Sequence, residues 1–255
     1  MTLTDERRGH ALDAMAVRKR WVRRSARLRP VPPAGEIRLH VAPDFEQAWA
    51  EHEAAAGQRG APPYWARPWP GGLALARYLL DHPELVAGQC VLELGAGSGL
   101  CAVAAAKAGA ARVLAIDLDP TACAAAELNA AANGVAARFE VRRADLFDVS
   151  ADGWPVVLAA DLWYERFLAL RLNAHLRTLA ADGALVLVGD PGRAHLPRRG
   201  LLEMHCEALS GTDGFEPGAS CSAKVYRVQA GDAQPGAGRP SDEHGLDQGA
   251  HQPCT

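Results

Sequence analysis

The chain has 255 residues, 49% of them apolar, and a formal net charge of −3 at pH 7. This length allows one packed domain of about 200 residues with tails, and the small net charge gives no general reason to expect nucleic-acid binding. No apolar run approaches the roughly 18 residues needed to span a bilayer, so we expect a soluble protein with no membrane contact. We also expect a cytoplasmic protein, in which the six cysteines are buried reduced thiols, and a monomer.

The charge is distributed unevenly along the chain. Residues 1–30 contain nine Lys or Arg against three Asp or Glu, and "RKRWVRRSARLRP" is the densest part. We interpret residues 1–35 as a basic N-terminal arm, either a solvated helix or a contact for a nucleic acid or an acidic partner. The arm lacks the apolar core of a signal peptide, and its Asp5, Glu6 and Asp13 are atypical of a transit peptide.

Short apolar runs alternate with helix-forming segments in the middle of the chain. Strands are predicted at "CVLEL" (90–94), "RVLAI" (112–116), "RFEVRR" (138–143), "VVLAA" (156–160) and "ALVLVGD" (184–190). The intervening "GLCAVAAAKAGA", "PTACAAAELNAAANG" and "ERFLALRLNAHLRTLAADG" predict helices that end near glycine. This alternation predicts an α/β fold with a parallel sheet covered on both faces and a ligand beyond the carboxyl ends of the strands.

The last part of the chain is less regular. "LLEMHCEAL" suggests a helix or a strand, and "AKVYRVQ" suggests a strand that ends the sheet. We place the folded domain at residues 36–229 and expect a disordered tail over 230–255, which is rich in Gly, Pro, Asp and Gln. The six cysteines form no CxxC pair and the nine histidines are scattered, so no metal site is predicted.

A glycine-rich loop follows the first strand of this alternating region. Gly95, Gly97 and Gly99 allow a sharp turn and close approach of a ligand, but the third glycine of a dinucleotide fingerprint is replaced by Leu100. The stretch "LELGAGSG" instead resembles the motif of seven-strand, class I S-adenosylmethionine-dependent methyltransferases. That resemblance implies a Rossmann-like doubly wound sheet, mostly parallel with an antiparallel final strand, and S-adenosylmethionine as the cofactor.

The same resemblance assigns cofactor contacts. Asp117 ends the second strand and would accept both ribose hydroxyls, whereas Asp119 before Pro120 is typical of a helix N-cap. Asp145 would bind the adenine amino group, with a polar loop end as its alternative reading, and Leu146 would pack on the ring. The full predicted set is Glu93, Gly95, Ala96, Gly97, Gly99, Asp117, Leu118, Asp145, Leu146 and Asp161.

The fourth strand ends in "DLWYE", without the Asn-Pro-Pro-Tyr type motif of methyltransferases that act on glutamine or adenine amino groups. Asp161 and Tyr164 instead resemble the "DxxY" signature of the family related to the electron-transfer flavoprotein β-subunit lysine methyltransferase. "PPYWARPWPGGLALARYLLDHPELVAGQCVLELGAGSG" and "GDPGRAHLP" resemble the same branch, so that the likeness covers about residues 60–200.

This second resemblance implies a protein-lysine N-methyltransferase that acts on the electron-transfer flavoprotein β subunit. Asp161 and Tyr164 are then the catalytic candidates, and Trp65, Trp69 and Trp163 the substrate-binding ones. A lysine amine, with a pKa near 10.4, arrives protonated, and a carboxylate beside aromatic walls would orient it.

Several alternatives stay open. Trp65 and Trp69 could simply pack the N-terminal segment over the sheet. The substrate could be another protein, such as a ribosomal protein, or a small-molecule amine. A non-catalytic nucleotide-binding interaction module would also explain the fold, but it would leave "DLWYE" and "PYWARPWPGG" without a purpose.

Overall fold

The computed structural model describes residues 3–56, 60–150, 152–210 and 220–230. The tail expected at 230–255 thus lies, except for its first residue, outside the described residues. Within the described ranges, no helix combines the length and the apolar character that a membrane crossing requires.

Five elements precede the main sheet. They are α1 (Leu3–Ser25), the antiparallel hairpin of β1 (Arg27–Val31) and β2 (Ala34–Val41), α2 (Phe45–Ala56) and α3 (Pro70–Asp81). The first turn of α3 carries Pro70, whose missing N–H costs nothing at that position. Of these elements, α3 packs directly against the sheet, and β2 packs against α3.

The main sheet has seven strands. They are β3 (Cys90–Leu94), β4 (Arg112–Asp117), β5 (Phe139–Arg143), β6 (Val156–Ala160), β7 (Leu185–Asp190), β8 (Leu201–Ser210) and β9 (Ser220–Val228). Their order is β5-β4-β3-β6-β7-β9-β8. The first five are parallel, and β9 runs antiparallel to both β7 and β8. The predicted α/β class is confirmed, and "LLEMHCEAL" is a strand.

Three helices connect the parallel strands: α4 (Leu100–Lys107), α5 (Pro120–Ala132) and α6 (Arg166–Ala181). Val91 packs in a core cluster with residues of α3 and α4, whereas the adjacent Leu92 packs with Leu172 and Leu176 of α6 on the other face. Because successive side chains of a strand point to opposite faces, β3 is buried throughout. Helices therefore cover both faces, as the uninterrupted apolar runs predict.

The basic arm ends inside the packed domain. Val22 is fully buried, and it shares a core cluster with Ala26 and with Leu128 of α5. Lys19 pairs with Glu127 of the same helix. The expected arm boundary at residue 35 falls within β2 and would separate two paired strands, so we propose that the domain begins at the last turns of α1.

The chain order reverses next to β3. The strands run outward from β3 through β4 to β5, and the chain then returns to place β6 on the other side of β3. The loops that leave β3 and β6 must diverge at this point, which opens a crevice beyond the carboxyl ends of the strands. The candidate site lies there.

Candidate active site

A cavity of about 610 Å³ opens at the carboxyl ends of β3, β4 and β6, and this volume is typical of small-molecule and cofactor sites. It brings together residues that are more than 100 positions apart in the chain. Twelve of the residues predicted from the sequence line it: Trp65, Trp69, Glu93, Gly95, Ala96, Gly97, Asp117, Leu118, Leu146, Asp161, Trp163 and Tyr164.

The three loop glycines all have left-handed backbone, with φ of 62° at Gly95, 52° at Gly97 and 75° at Gly99. Gly97 lines the cavity, but Gly99 does not. A Cβ on Gly99 would approach Cβ of Ala126 to 3.0 Å and Phe139 to 3.3 Å. This glycine is the N-cap of α4 and packs it against α5, and its contact with the cofactor stays a prediction.

Asp117 ties the end of β4 to the glycine loop. Its Oδ2 accepts a hydrogen bond from Gly97 N at 2.8 Å, and its Oδ1 accepts one from Asp119 N at 2.9 Å. Burial is the main cause that raises the pKa of Asp117 above its usual value. The neighbouring Asp119 accepts from Thr121 N and caps α5, as the Asp-Pro pair predicts.

Glu93 is a buried carboxyl group on β3. Its Oε2 accepts a hydrogen bond from Ala102 N of α4 at 2.9 Å. Desolvation by burial raises the pKa of Glu93 to about 8, so the side chain is mostly protonated at neutral pH. It therefore joins strand to helix as a neutral group at the wall of the cavity.

Asp145 does not line the cavity, although its neighbours Ala144 and Leu146 do. Its Oδ1 accepts a hydrogen bond from Phe147 N at 3.1 Å, which is the local side-chain-to-backbone bond of an Asx turn. The predicted adenine contact through this carboxylate stays a prediction, since the bond to Phe147 N engages only Oδ1. The alternative of a polar loop end agrees with this local bond, and the predicted Leu146 lines the cavity together with Ala144.

Asp161 bonds both to the start of α3 and to the loop that follows β7. We call this part of the cavity the acceptor end. It follows β6 with φ of 59°, and its Oδ2 accepts a hydrogen bond from Gly72 N at 2.7 Å. Its Oδ1 accepts one from Arg193 Nη2 at 2.9 Å. Burial raises the pKa of Asp161 to about 7, although Arg193 and the N-terminal amides of α3 both lower it.

The start of α3 touches the end of β7 through backbone alone. A Cβ added to Gly71 would overlap the carbonyl oxygen of Gly189, and one added to Gly189 would overlap that of Gly71. Glycine at both positions allows this approach. The contact brings Asp161, which also donates its N–H to Gly189 O at 2.9 Å, beside the amides of α3.

Asp190 shapes the loop that follows β7. Its Oδ1 accepts hydrogen bonds from Gly192 N at 2.8 Å and Arg193 N at 2.7 Å, and it is completely buried. These bonds turn the chain so that the guanidinium of Arg193 reaches Asp161 and lies 5.9 Å from the ring centre of Trp69. The "GDPGR" segment thus supplies the cation of the site.

The aromatic side chains that line the cavity are of two kinds, buried and partly exposed. Trp163 is buried and donates from Nε1 to Asn173 at 2.8 Å, and the buried Trp65 lies edge-on to Trp21 of α1 at 5.4 Å. Tyr164 is half exposed, with its ring 5.5 Å from that of Tyr64. Trp65 therefore packs the N-terminal segment and also lines the cavity.

Among the lining residues that sequence reasoning missed are Gly72, Arg193 and Tyr64. All three lie within stretches that carried the family resemblance, Tyr64 and Gly72 in "PPYWARPWPGG" and Arg193 in "GDPGRAHLP". The available signal was a charged residue directly after a strand-ending Asp-Pro-Gly turn. It was not recognised because its partner, Asp161, is 32 residues away.

The sheet order, the glycine loop and the cavity agree with the Rossmann-like, mostly parallel sheet that the resemblance implies, which confirms the predicted fold class. Residues 76–188 match the family model described as ribosomal protein L11 methyltransferase (PrmA). This range contains the glycine loop, Asp117 and Asp161, but neither Trp69 nor Arg193.

Several curated relatives carry the name electron transfer flavoprotein beta subunit lysine methyltransferase. The Danio rerio protein is 46% identical over 133 residues, which are 52% of this chain and 51% of that protein. The Homo sapiens protein is 43% identical over 132 residues, 51% of this chain and 50% of that protein. The chain thus spans about half the length of the curated relatives that it matches.

Proposed function

We propose that this protein is an S-adenosylmethionine-dependent protein-lysine N-methyltransferase that acts on the electron-transfer flavoprotein β subunit. The observation that carries the proposal is one cavity with a glycine loop and Asp117 at one end and the buried Asp161 at the other. The names of the relatives supply the substrate. The cytoplasmic location and monomeric state expected from the sequence are part of this proposal.

The residues present fit the cofactor. Gly97 lines the cavity with a left-handed backbone, so its main chain is accessible where a larger residue would be strained. Asp117 has used one lone pair of each oxygen and can still accept hydrogen bonds from two hydroxyls. Leu118 and Leu146 offer apolar walls for the adenine ring. The cofactor supplies a methyl group on a positively charged sulfur.

Asp161 would attract and orient the lysine ammonium. Two of its roughly four lone-pair positions are occupied by Gly72 and Arg193, which leaves acceptor positions for an amine that enters the cavity. The hydrogen bonds also fix the carboxylate in one place, so that an amine bound to it is held in a defined direction. Positioning of this kind accounts for a large share of the rate in such transfers.

The aromatic side chains would help the amine to lose its proton. A lysine stem between Tyr164 and Trp69 is removed from water, and desolvation disfavours the charged form and lowers the amine pKa. The proton can leave through the open mouth of the cavity before the lone pair attacks. Partial burial raises the pKa of Tyr164, so its hydroxyl stays neutral and can donate or accept a hydrogen bond near the amine.

The proposal is tested by incubating the purified β subunit with enzyme and S-adenosylmethionine, followed by mass spectrometry of its lysines. We expect methyl groups on one or more lysines with wild-type enzyme. Labelling of a different protein in a lysate from a knockout of the same organism would keep the chemistry and discard this substrate. Absence of methyl transfer to any protein would discard the activity.

A further inference from the structure

Two asparagines of α5 bind the N-terminal hairpin through their side-chain amides. Asn133 Oδ1 accepts a hydrogen bond from Arg38 N at 3.0 Å, and its Nδ2 donates one to Arg38 O at 2.7 Å. One helical turn earlier, Asn129 Oδ1 accepts from His40 N at 2.9 Å and lies 2.8 Å from His40 Nδ1. Arg38 and His40 belong to β2, so both amides satisfy backbone groups of the same strand.

Asn129 also reaches the glycine loop. Its Nδ2 donates a hydrogen bond to Ser98 O at 2.9 Å, and Ser98 is buried and lines the cavity. The Nδ2 of Asn133 instead reaches Asn129 O at 2.8 Å, and among the described residues no hydrogen bond of Asn133 extends to the loop. One asparagine therefore joins the hairpin to the glycine loop, whereas the other does not.

The partners of Asn129 fix the direction of its amide. Ser98 O can only accept a hydrogen bond and His40 N can only donate one, so Nδ2 faces the loop and Oδ1 faces the hairpin. Because Oδ1 only accepts, His40 Nδ1 must carry a hydrogen and donate it to Oδ1. Asn129 is completely buried, and a buried amide that lost one of these partners would be strongly disfavoured. The side chain is thus held in a single orientation.

The glycine loop is held from two directions at adjacent residues. Gly97 N donates to Asp117 Oδ2, and Ser98 O accepts from Asn129 Nδ2. Both loop residues line the cavity, whereas Asn129 itself does not. Asn129 therefore acts on the cavity through the loop and not by contact with a ligand.

We propose that Asn129 is a positioning residue for cofactor binding, and that the hairpin of β1 and β2 contributes to the cofactor site through it. The inference rests on the S-adenosylmethionine cofactor of the proposed function and is independent of its substrate. Without the bond to Ser98 O, the loop occupies its binding geometry for a smaller fraction of the time, and the apparent affinity for the cofactor falls by that fraction. Hydrogen bonds from behind a ligand-binding segment keep its geometry defined in this way.

The test compares the two asparagines. Asn129→Asp keeps an acceptor for His40 and replaces the donor that faces Ser98 O by a second oxygen. Asn133→Asp is the matched control, because it removes the amide donor to Arg38 O and leaves the loop bond in place. In mildly alkaline buffer, where the introduced carboxyl is ionised, we expect S-adenosylhomocysteine to bind at least tenfold more weakly to Asn129→Asp and within about twofold of wild type to Asn133→Asp. The melting temperature should fall in both variants.

Equal affinity of Asn129→Asp and wild type for S-adenosylhomocysteine would overturn the inference and leave Asn129 as an attachment point for the hairpin only. If this variant does not fold, amide hydrogen exchange of the wild-type enzyme decides. We expect S-adenosylhomocysteine to slow exchange of the His40 N–H at least threefold more than that of the Arg38 N–H, because only His40 is bonded to the residue that reaches the loop. Equal slowing at both, or none, contradicts the inference.

The same measurements separate this inference from the proposed substrate. A wild-type enzyme that binds no S-adenosylhomocysteine would contradict the inference together with the cofactor of the proposed function. A wild-type enzyme that binds it but leaves the β subunit unmodified would contradict the substrate alone, and the comparison of Asn129→Asp with Asn133→Asp would still decide the role of Asn129.

Discussion

The two ends of the cavity are built in different ways. At the cofactor end, Gly97 and Asp117 are 20 residues apart within one β-α-β unit, and the backbone N–H of Gly97 donates a hydrogen bond to the side-chain carboxylate of Asp117. At the acceptor end, Asp161 is held by Gly72, 89 residues before it, and by Arg193, 32 residues after it. The first end depends on local chain geometry, and the second depends on tertiary packing.

This difference indicates at which end of the cavity substitutions can change selectivity for the substrate. The cofactor end is fixed by a loop that must turn sharply, so few sequences satisfy it. At the acceptor end, burial raises the pKa of Asp161, and Arg193 and the α3 amides lower it by a smaller amount. A change at any of the three segments alters the charge that an incoming amine meets, without affecting the other end of the cavity.

The largest effect is expected for Asp161→Asn. The amide keeps the size and can still accept from Gly72 N, but the charge that attracts a lysine ammonium is lost. We expect turnover to fall by two or more orders of magnitude and affinity for S-adenosylhomocysteine, measured by calorimetry, to stay within a few-fold. The melting temperature should also fall, because Arg193 loses its counter-ion. Normal turnover would show that Asp161 acts only as a cap for α3.

The second-largest effect is expected at Asp117, the last residue of β4, and the neighbouring Asp119 provides the comparison. Asp117→Ala removes the carboxylate that faces the cavity, and we expect S-adenosylhomocysteine to bind at least tenfold more weakly, since hydrogen bonds to charged groups contribute about 1.5–3 kcal/mol each. Asp119→Ala is the matched control and should cost about 1 kcal/mol of stability through loss of the α5 cap. Calorimetry in which Asp119→Ala is the weaker binder would reverse the assignment.

A smaller effect is expected for Arg193→Met and appears in the pH profile. Asp161 must be ionised, so activity rises with pH through its pKa of about 7. The Arg193 cation lies 2.9 Å from Asp161, and its removal raises the pKa of Asp161 by roughly one unit or more. The acid limb of the profile, in which kcat/KM increases with pH, then moves to higher pH. The rate at pH 7 falls about fivefold, because a smaller fraction of Asp161 is ionised there. Arg193→Lys should keep the limb in place; an unshifted limb in Arg193→Met would show that the cation does not act on Asp161.

The smallest effect on turnover is expected for Glu93→Gln. The pKa of Glu93 is about 8 in the folded chain and near its usual value when unfolded, so the folded state binds more protons between about pH 4.5 and 8. Stability from this group therefore falls as pH rises through that range. Glutamine mimics the protonated carboxyl, so turnover should stay within about threefold, and denaturation at several pH values should show a flatter decline than wild type.

Local sequence patterns predicted the parallel part of the sheet well. The strands β3, β4, β5, β6 and β7 lie within one or two residues of their predicted bounds. For β3, β4, β6 and β7 the reason is that strands buried on both faces are largely uninterrupted apolar runs, whereas β5 is a partly buried edge strand that carries charged residues. The β1–β2 hairpin and α3 were not predicted. The hairpin carries alternating rather than continuous burial, and α3 begins in a stretch of Pro and Gly that is typical of a loop.

Local sequence patterns also predicted only part of the candidate site. Asp117 and Gly97 could be found because strand, loop and acidic residue follow each other at known spacing. For Gly99 and Asp145, which are also predicted to contact the cofactor, the structure shows helix packing and a local turn that the sequence did not indicate. Arg193 could not be found, since nothing in its own segment shows that the turn at Asp190 directs it towards Asp161.

The glycine pair at the start of α3 and the end of β7 has a consequence for how this protein can evolve. Contacts between side chains usually change in pairs, because a loss at one position can be compensated at the other. At Gly71 and Gly189 the obstacle on each side is main chain, which no substitution removes. The two positions should therefore be fixed independently rather than covary, and a library randomised at both should return glycine at each.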